Sequence, residues 1–146
     1  ENKDIITTLP ELPGIRFRHF EGERDYPAMV ELWSAMCAAG FGEGAYTVED
    51  MRIDYRHLSN CDPFRDLLIA EQGGEVIAYA RAFWEQVGSQ KVFKRFLAIS
   101  PEFFFVNSSA IRIIASPPMH FEEAGYPGPE ARRRIKLYKW YRFSKY

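Results

Sequence analysis

Asp66-Leu67-Leu68-Ile69-Ala70-Glu71-Gln72-Gly73-Gly74-Glu75-Val76-Ile77-Ala78-Tyr79-Ala80-Arg81-Ala82-Phe83-Trp84 is the stretch that decides how this chain is read. Two β-prone runs meet at a Gly-Gly pair, the composition of a tight hairpin turn. A second turn over residues 87–90 leads into Lys91-Val92-Phe93-Lys94-Arg95-Phe96-Leu97-Ala98-Ile99, a third strand that Ser100-Pro101 stops. Three consecutive strands with short connections predict an antiparallel meander.

Upstream, Ile15-Arg16-Phe17-Arg18-His19-Phe20 alternates apolar and polar residues with the period of a half-buried strand. Asp25 is placed to cap a helix that begins near Pro27 and carries Tyr26, Met29, Val30, Trp33, Met36 and Cys37 on one face; Gly40, Gly42 and Gly44 end it. Thr47 with Asp50 three residues later has the form of a capping box, and Val48, Met51, Tyr55 and Leu58 continue a second helical face. Asp62-Pro63 reads as a turn, and Leu9-Pro10-Glu11-Leu12-Pro13-Gly14 as an extended leader. The expected fold class is α+β: a mainly antiparallel central sheet with two N-terminal helices packed on it. Beyond Pro101 the apolar runs 103–106 and 111–115 fit neither period. The expectation is one domain over 1–146, with an extended leader at 1–14 and a divergent C-terminal part at 103–146.

At 146 residues the chain is long enough for a core without covalent staples. Its 47% hydrophobic and 27% charged residues exclude wholesale disorder, and no apolar run approaches a membrane span. Cys37 and Cys61 form no disulfide framework and stand in no metal-ligand spacing, so both are expected as reduced thiols in a cytoplasmic protein. The N-terminus does not have the layout of a signal peptide. The net charge of −1 conceals an uneven distribution. Residues 132–146 carry seven basic groups and no acid, which leaves −8 on residues 1–131.

The order strand, two capped helices and meander resembles the N-terminal half of the GNAT-superfamily N-acetyltransferases. Leu12-Pro13-Gly14-Ile15-Arg16-Phe17-Arg18 is similar to the family's first strand, and Thr47-Val48-Glu49-Asp50 to the start of its second helix. The hairpin quoted above resembles its second and third strands, and Pro101-Glu102 the dipeptide that follows its fourth. The resemblance covers residues 12–102 and implies acetyl transfer from acetyl-CoA to an amine, on a small molecule or a peptide. In the family the fourth strand opens onto an Arg/Gln-x-x-Gly-x-Gly/Ala loop whose backbone N–H groups hold the cofactor's pyrophosphate. Here the corresponding residues are Phe103-Phe104-Phe105-Val106-Asn107-Ser108-Ser109-Ala110, with neither glycine nor arginine. Asn107, Ser108 and Ser109 are the small polar residues left to donate hydrogen bonds there. A backbone that splays away from its neighbour after Ile99 and opens onto a helix N-terminus favours the transferase reading. Residues 103–106 continuing a strand, or filling that cleft, favour a degenerate relative.

Amine acetylation needs a base, donors to the thioester carbonyl and a proton for the leaving thiolate. Glu85, at the end of the third strand, and Glu102, after the fourth, are the candidate bases; both also read as solvated strand-end acids. The resemblance places Tyr126, after the helix-ending Gly125, near the thiolate-protonating position, where an ordinary packed aromatic is the other reading. Backbone groups of Leu97, Ala98 and Ile99 would pair with the pantetheine arm, or else belong to a plain core strand. Cys61 with His57 four residues before it has the composition of a nucleophile pair without further support, and His19, His57 and His120 are too scattered for a metal site. Two other function classes stay open. One is a non-catalytic GNAT-like domain that binds a ligand or a partner. The other is a nucleic-acid module that uses the interleaved cations and aromatics of 132–143, which read equally as a protected edge strand that leaves homodimerisation open.

Overall fold

Gly73 and Gly74 both take positive φ, 59° and 84°, the backbone that a two-residue hairpin turn needs and that side chains resist. They join β2 (Leu67–Gln72) to β3 (Glu75–Val87), and a second tight turn joins β3 to β4 (Gln90–Ile99). The structure, a computed structural model, describes residues 5–9 and 11–106. Its four strands are ordered β1-β2-β3-β4, with β1 spanning Ile15–His19, and every neighbouring pair is antiparallel. The meander and the added first strand are therefore as the sequence implies. A register shift between Ala70 and Glu71 bends β2 against β3.

Side-chain alternation sends the two faces of this sheet to different cores. On one face Leu67, Ile69, Tyr79 and Ala98 pack under α1 (Tyr26–Ala38) and α2 (Val48–Arg56). Met29, Leu32 and Met36 of α1 and Met51 of α2 supply the helical side, each buried. Burial of each such side chain stabilises by roughly 1.5–3 kcal/mol, enough to hold two short helices against the sheet. Gly42, after α1, lies so close to that helix that a Cβ there would meet Cys37 Sγ at 3.1 Å and the Trp33 ring at 3.2 Å. The second helix starts as its sequence dictates: Thr47 Oγ1 accepts from the Asp50 N–H at 3.1 Å and the Asp50 carboxylate accepts from the Thr47 N–H at 2.8 Å.

Several local expectations are corrected. Asp25 precedes α1 but makes no side-chain cap. Its carboxylate accepts instead from Arg18 Nη1 at 3.1 Å, Arg18 Nη2 at 2.8 Å and the Glu21 N–H at 2.7 Å. A bidentate guanidinium outbids one helix N–H, and a 3-10 turn at Glu23–Asp25 leads the backbone into the helix without that cap. Arg18 also donates to Glu71 at 2.6 Å, so one cation ties β1, β2 and the entry to α1 together. Asp62-Pro63 is the start of the short helix α3 (Pro63–Asp66), where Asp62 accepts from the Phe64 N–H at 3.0 Å. The leader contains a 3-10 helix over Ile5–Thr8 and a turn bridging Leu12 to Ile15, so it is not extended throughout.

The run 103–106 is helical: α4 spans Pro101–Val106, with proline in the first turn where its missing N–H costs nothing. Ser100 still donates to the Ile77 carbonyl at 2.7 Å, so the ladder holds up to the helix. Phe103 is buried on the far face of the sheet against Ala70, Ala78, Ala80 and Ile99. Small alanines on that face leave room for the aromatic ring, which is why an aromatic run without clear periodicity folds back here. Among the described residues no helix is long and apolar enough to cross a membrane.

Candidate functional site

Between α1, α2 and the helix-covered face of β3 and β4 lies a cleft of about 470 Å³. Each wall follows from an element's register. Trp33, half-buried on α1, lies with its ring centre 5.7 Å from Phe96 of β4 in a tilted contact, and Phe96 in turn lies 5.7 Å from Tyr79 of β3. Arg81, two residues past Tyr79 and paired with Phe96 across the ladder, points to the same face. Its guanidinium stands 5.1 Å from the Tyr55 ring centre, 5.7 Å from Phe83 and 5.8 Å from Phe96. The Arg81 Nε is buried and has no hydrogen-bond partner.

Glu43, Asp54 and His57 are the other ionisable side chains of the lining besides its tyrosines. The Tyr46 hydroxyl donates to the Asp54 carboxylate. Burial first, and then that carboxylate, push the Tyr46 phenol well above its ordinary pKa. Burial pushes Tyr55 up to about 12 against the opposing charge of Arg81, and raises Tyr79 as well. The cleft's phenols are therefore neutral donors at physiological pH. His57 Nδ1 lies 2.8 Å from the Ile53 carbonyl. A carbonyl only accepts, so Nδ1 is the donor in that contact and Nε2 is the ring nitrogen outside it.

Beside the cleft runs the outer edge of β4. The Ser100 N–H bonds to the Ile77 carbonyl, so antiparallel alternation turns the backbone N–H groups of Ala98 and Phe96 toward β3 and those of Ile99 and Leu97 toward the outer edge. Among the described residues no strand pairs with that edge. The Ile99 N–H donates to Met36 Sδ of α1 at 3.2 Å. A thioether is a weak acceptor, readily exchanged for a carbonyl.

The expected site residues are dispersed. Glu85 is exposed and ion-paired with Lys94. It pairs with Val92, seven residues before Ile99 on β4, which puts it about 23 Å from the end that leads to Glu102. Glu102 is exposed on α4. Leu97, Ala98 and Ile99 follow Phe96 on β4 and do not line the cleft: Ala98 packs in the helix-side core, Leu97 and Ile99 in the core on the far face. Asn107, Ser108, Ser109, Tyr126 and the basic stretch 132–146 lie outside the described residues. Cys61 is half-buried, and burial pushes its thiol up to about 11, which leaves it a poor nucleophile. No group of three metal-ligating side chains occurs among the described residues. Sequence reading alone passed over Arg81, Asp54 and the tautomer of His57. The one available signal was a charged residue at the centre of an apolar strand.

A GCN5-related N-acetyltransferase from Sphaerobacter thermophilus superposes on this chain with a TM-score of 0.55 at 20% identity, over 70% of this chain and 30% of that protein. The chain has the GNAT fold. It spans 30% of the length of the Sphaerobacter protein. A GNAT family acetyltransferase from Staphylococcus aureus is similar at TM-score 0.47 and 17% identity, over 85% of this chain and 83% of that one. A ribosomal-protein-alanine N-acetyltransferase from Brucella melitensis is similar at 0.48 and 19%, over 82% and 69%. No family model matches the sequence, and no curated protein matches it. Within the GNAT fold, the cleft sits on the helical side of the meander, beside the β4 edge with which no described strand pairs.

Proposed function

We propose that this chain is an acyl-CoA-dependent N-acyltransferase domain that takes an amine acceptor in the cleft. The observation that carries the reading is an aromatic cleft that includes Phe96 of β4, beside a strand edge with which no described strand pairs and where the Ile99 N–H donates to a thioether. Acetyl-CoA would supply the activated acyl group, its thioester arm lying along β4. Leu97 and Ile99 would offer it backbone groups, the Ile99 N–H exchanging Met36 Sδ for a carbonyl. Asn107, Ser108 and Ser109 are proposed at its phosphates in place of a glycine loop, and Tyr126 as a proton donor to the thiolate.

His57 is the group in the cleft proposed to accept the amine's proton, because its Nδ1–H is committed to Ile53 and Nε2 is the ring nitrogen left for the amine. Glu85 and Glu102 are the alternative bases outside the lining. The amine nitrogen bonds to the acyl carbon, the C–S bond breaks, and the proton lost by the amine goes to the base. The test is amine-dependent release of CoA thiol across pH. His57→Gln should lower kcat by about 10²–10⁴-fold, whereas Glu85→Gln should leave it in place. The reverse pattern would move the base to Glu85.

A second reading, a non-catalytic GNAT-fold domain that binds a ligand, is favoured by the aromatic run 103–105 where a phosphate loop is expected and by Phe103 being spent on the core. Ligand binding with no affinity for acetyl-CoA would establish it.

A further inference from the structure

We infer that the molecule taken by the cleft is an amine that also carries a carboxylate, and that Arg81 binds this carboxylate and so determines specificity. The inference deepens the proposed function and rests on the acceptor occupying the cleft. Arg16, Arg18, Arg24, Arg52 and Arg65 each stand within ion-pair distance of a carboxylate. Arg81 has no such partner among the described residues. It is held over three aromatic rings with a side-chain hydrogen bond to Tyr55, and its buried Nε has no partner. Ring faces attract a cation but accept few of its directed N–H bonds. A buried donor left over in a native fold calls for a physical reason, and here the guanidinium forms part of a cleft wall.

The guanidinium fork matches a carboxylate, through two parallel charge-assisted bonds. The rest of the lining narrows the class further. Glu43 and Asp54 place negative charge in the same cleft, which suits an ammonium group and opposes a phosphate dianion. Trp33, Tyr79 and Phe96 offer an apolar wall for the body of the ligand. An amino acid with an apolar or aromatic side chain meets all three demands.

The test is calorimetric titration of the full chain with phenylalanine and with phenethylamine, which keeps the ring and the amine but lacks the carboxylate. O-phosphoethanolamine serves as the phosphate arm. Phenylalanine should bind at least about tenfold more tightly than phenethylamine, and Arg81→Met should abolish that preference while Arg81→Lys keeps part of it. The wild-type comparison stands even if a variant fails to fold. Equal or tighter binding of phenethylamine, a preference that survives Arg81→Met in a folded variant, tighter binding of O-phosphoethanolamine, or no binding of phenylalanine at millimolar concentration would each overturn the inference. The two readings fail separately. Carboxylate preference without acetyl-CoA binding removes acyl transfer alone, whereas equal transfer to both amines removes the role of Arg81 alone.

Discussion

Asp25→Ala should be the costliest single polar substitution at the entry to α1. Asp25 is 4% exposed and accepts two hydrogen bonds from Arg18 and one from the Glu21 N–H. Removing one partner of a buried ion pair commonly costs about 3–5 kcal/mol, because the remaining charge is stranded. Arg18 is not fully stranded here, since it keeps Glu71 at 2.6 Å and the His19 carbonyl at 3.1 Å. Glu21 is exposed, so water can reach its N–H. The expected loss is therefore smaller, about 2–3 kcal/mol. Urea denaturation followed by far-UV circular dichroism reads this as a fall of about 1–2 M in the midpoint at an unchanged slope. The double variant Arg18→Met with Asp25→Ala should lose less than the sum of the two singles, because the second change removes a cation already short of a partner. A midpoint shift within about 0.2 M of wild type, or strict additivity, would refute the view that this network fixes the entry to α1.

Glu71 titration should be visible in the acid limb of stability. Burial pushes its carboxyl up, but Arg18 and Arg16 together outweigh that and hold it below the ordinary range. A lowered folded value means that the contribution is complete above the unfolded pKa and disappears as pH falls through the folded one. Glu71→Gln should accordingly flatten the loss of stability below about pH 4 while lowering stability at pH 7, measured by urea midpoints across pH. Cys61, raised to about 11 by burial, should alkylate slowly at pH 8 in the folded chain. Peptide mapping should show it modified at least about 100-fold faster in urea; equal rates would contradict its burial. Thr47→Ala should cost about 1 kcal/mol through the lost cap of α2, read by the same denaturation assay.

How much was legible in the sequence follows from which forces are local. Gly73-Gly74 and the Thr47/Asp50 pair act within four residues, so the hairpin and the start of α2 could be read directly. Asp25 could not, because its partner Arg18 belongs to another element and a bidentate ion pair outranks a local cap. The helix at residues 101–106 was illegible for a related reason: Phe103 folds onto an alanine-lined sheet face that exists only once β2, β3 and β4 have paired. Arg81 stood in plain sight as a charge inside an apolar strand. Its meaning needed Tyr55 from α2 and Phe96 from β4 to be brought around it.

The claim that acyl-CoA lies along the outer edge of β4 is tested most directly by titrating acetyl-CoA into the wild-type chain and into Leu97→Pro. Proline there deletes an N–H that does not serve the ladder to β3, at a strand edge where it is tolerated. Saturable binding to wild type is expected with a Kd between about 1 μM and 1 mM, weakened about three- to tenfold in a Leu97→Pro chain that keeps the wild-type circular dichroism. Its thermal midpoint should fall, because Leu97 packs against the far-face core. Absence of binding at millimolar acetyl-CoA, or equal affinity in a folded Leu97→Pro chain, would contradict it.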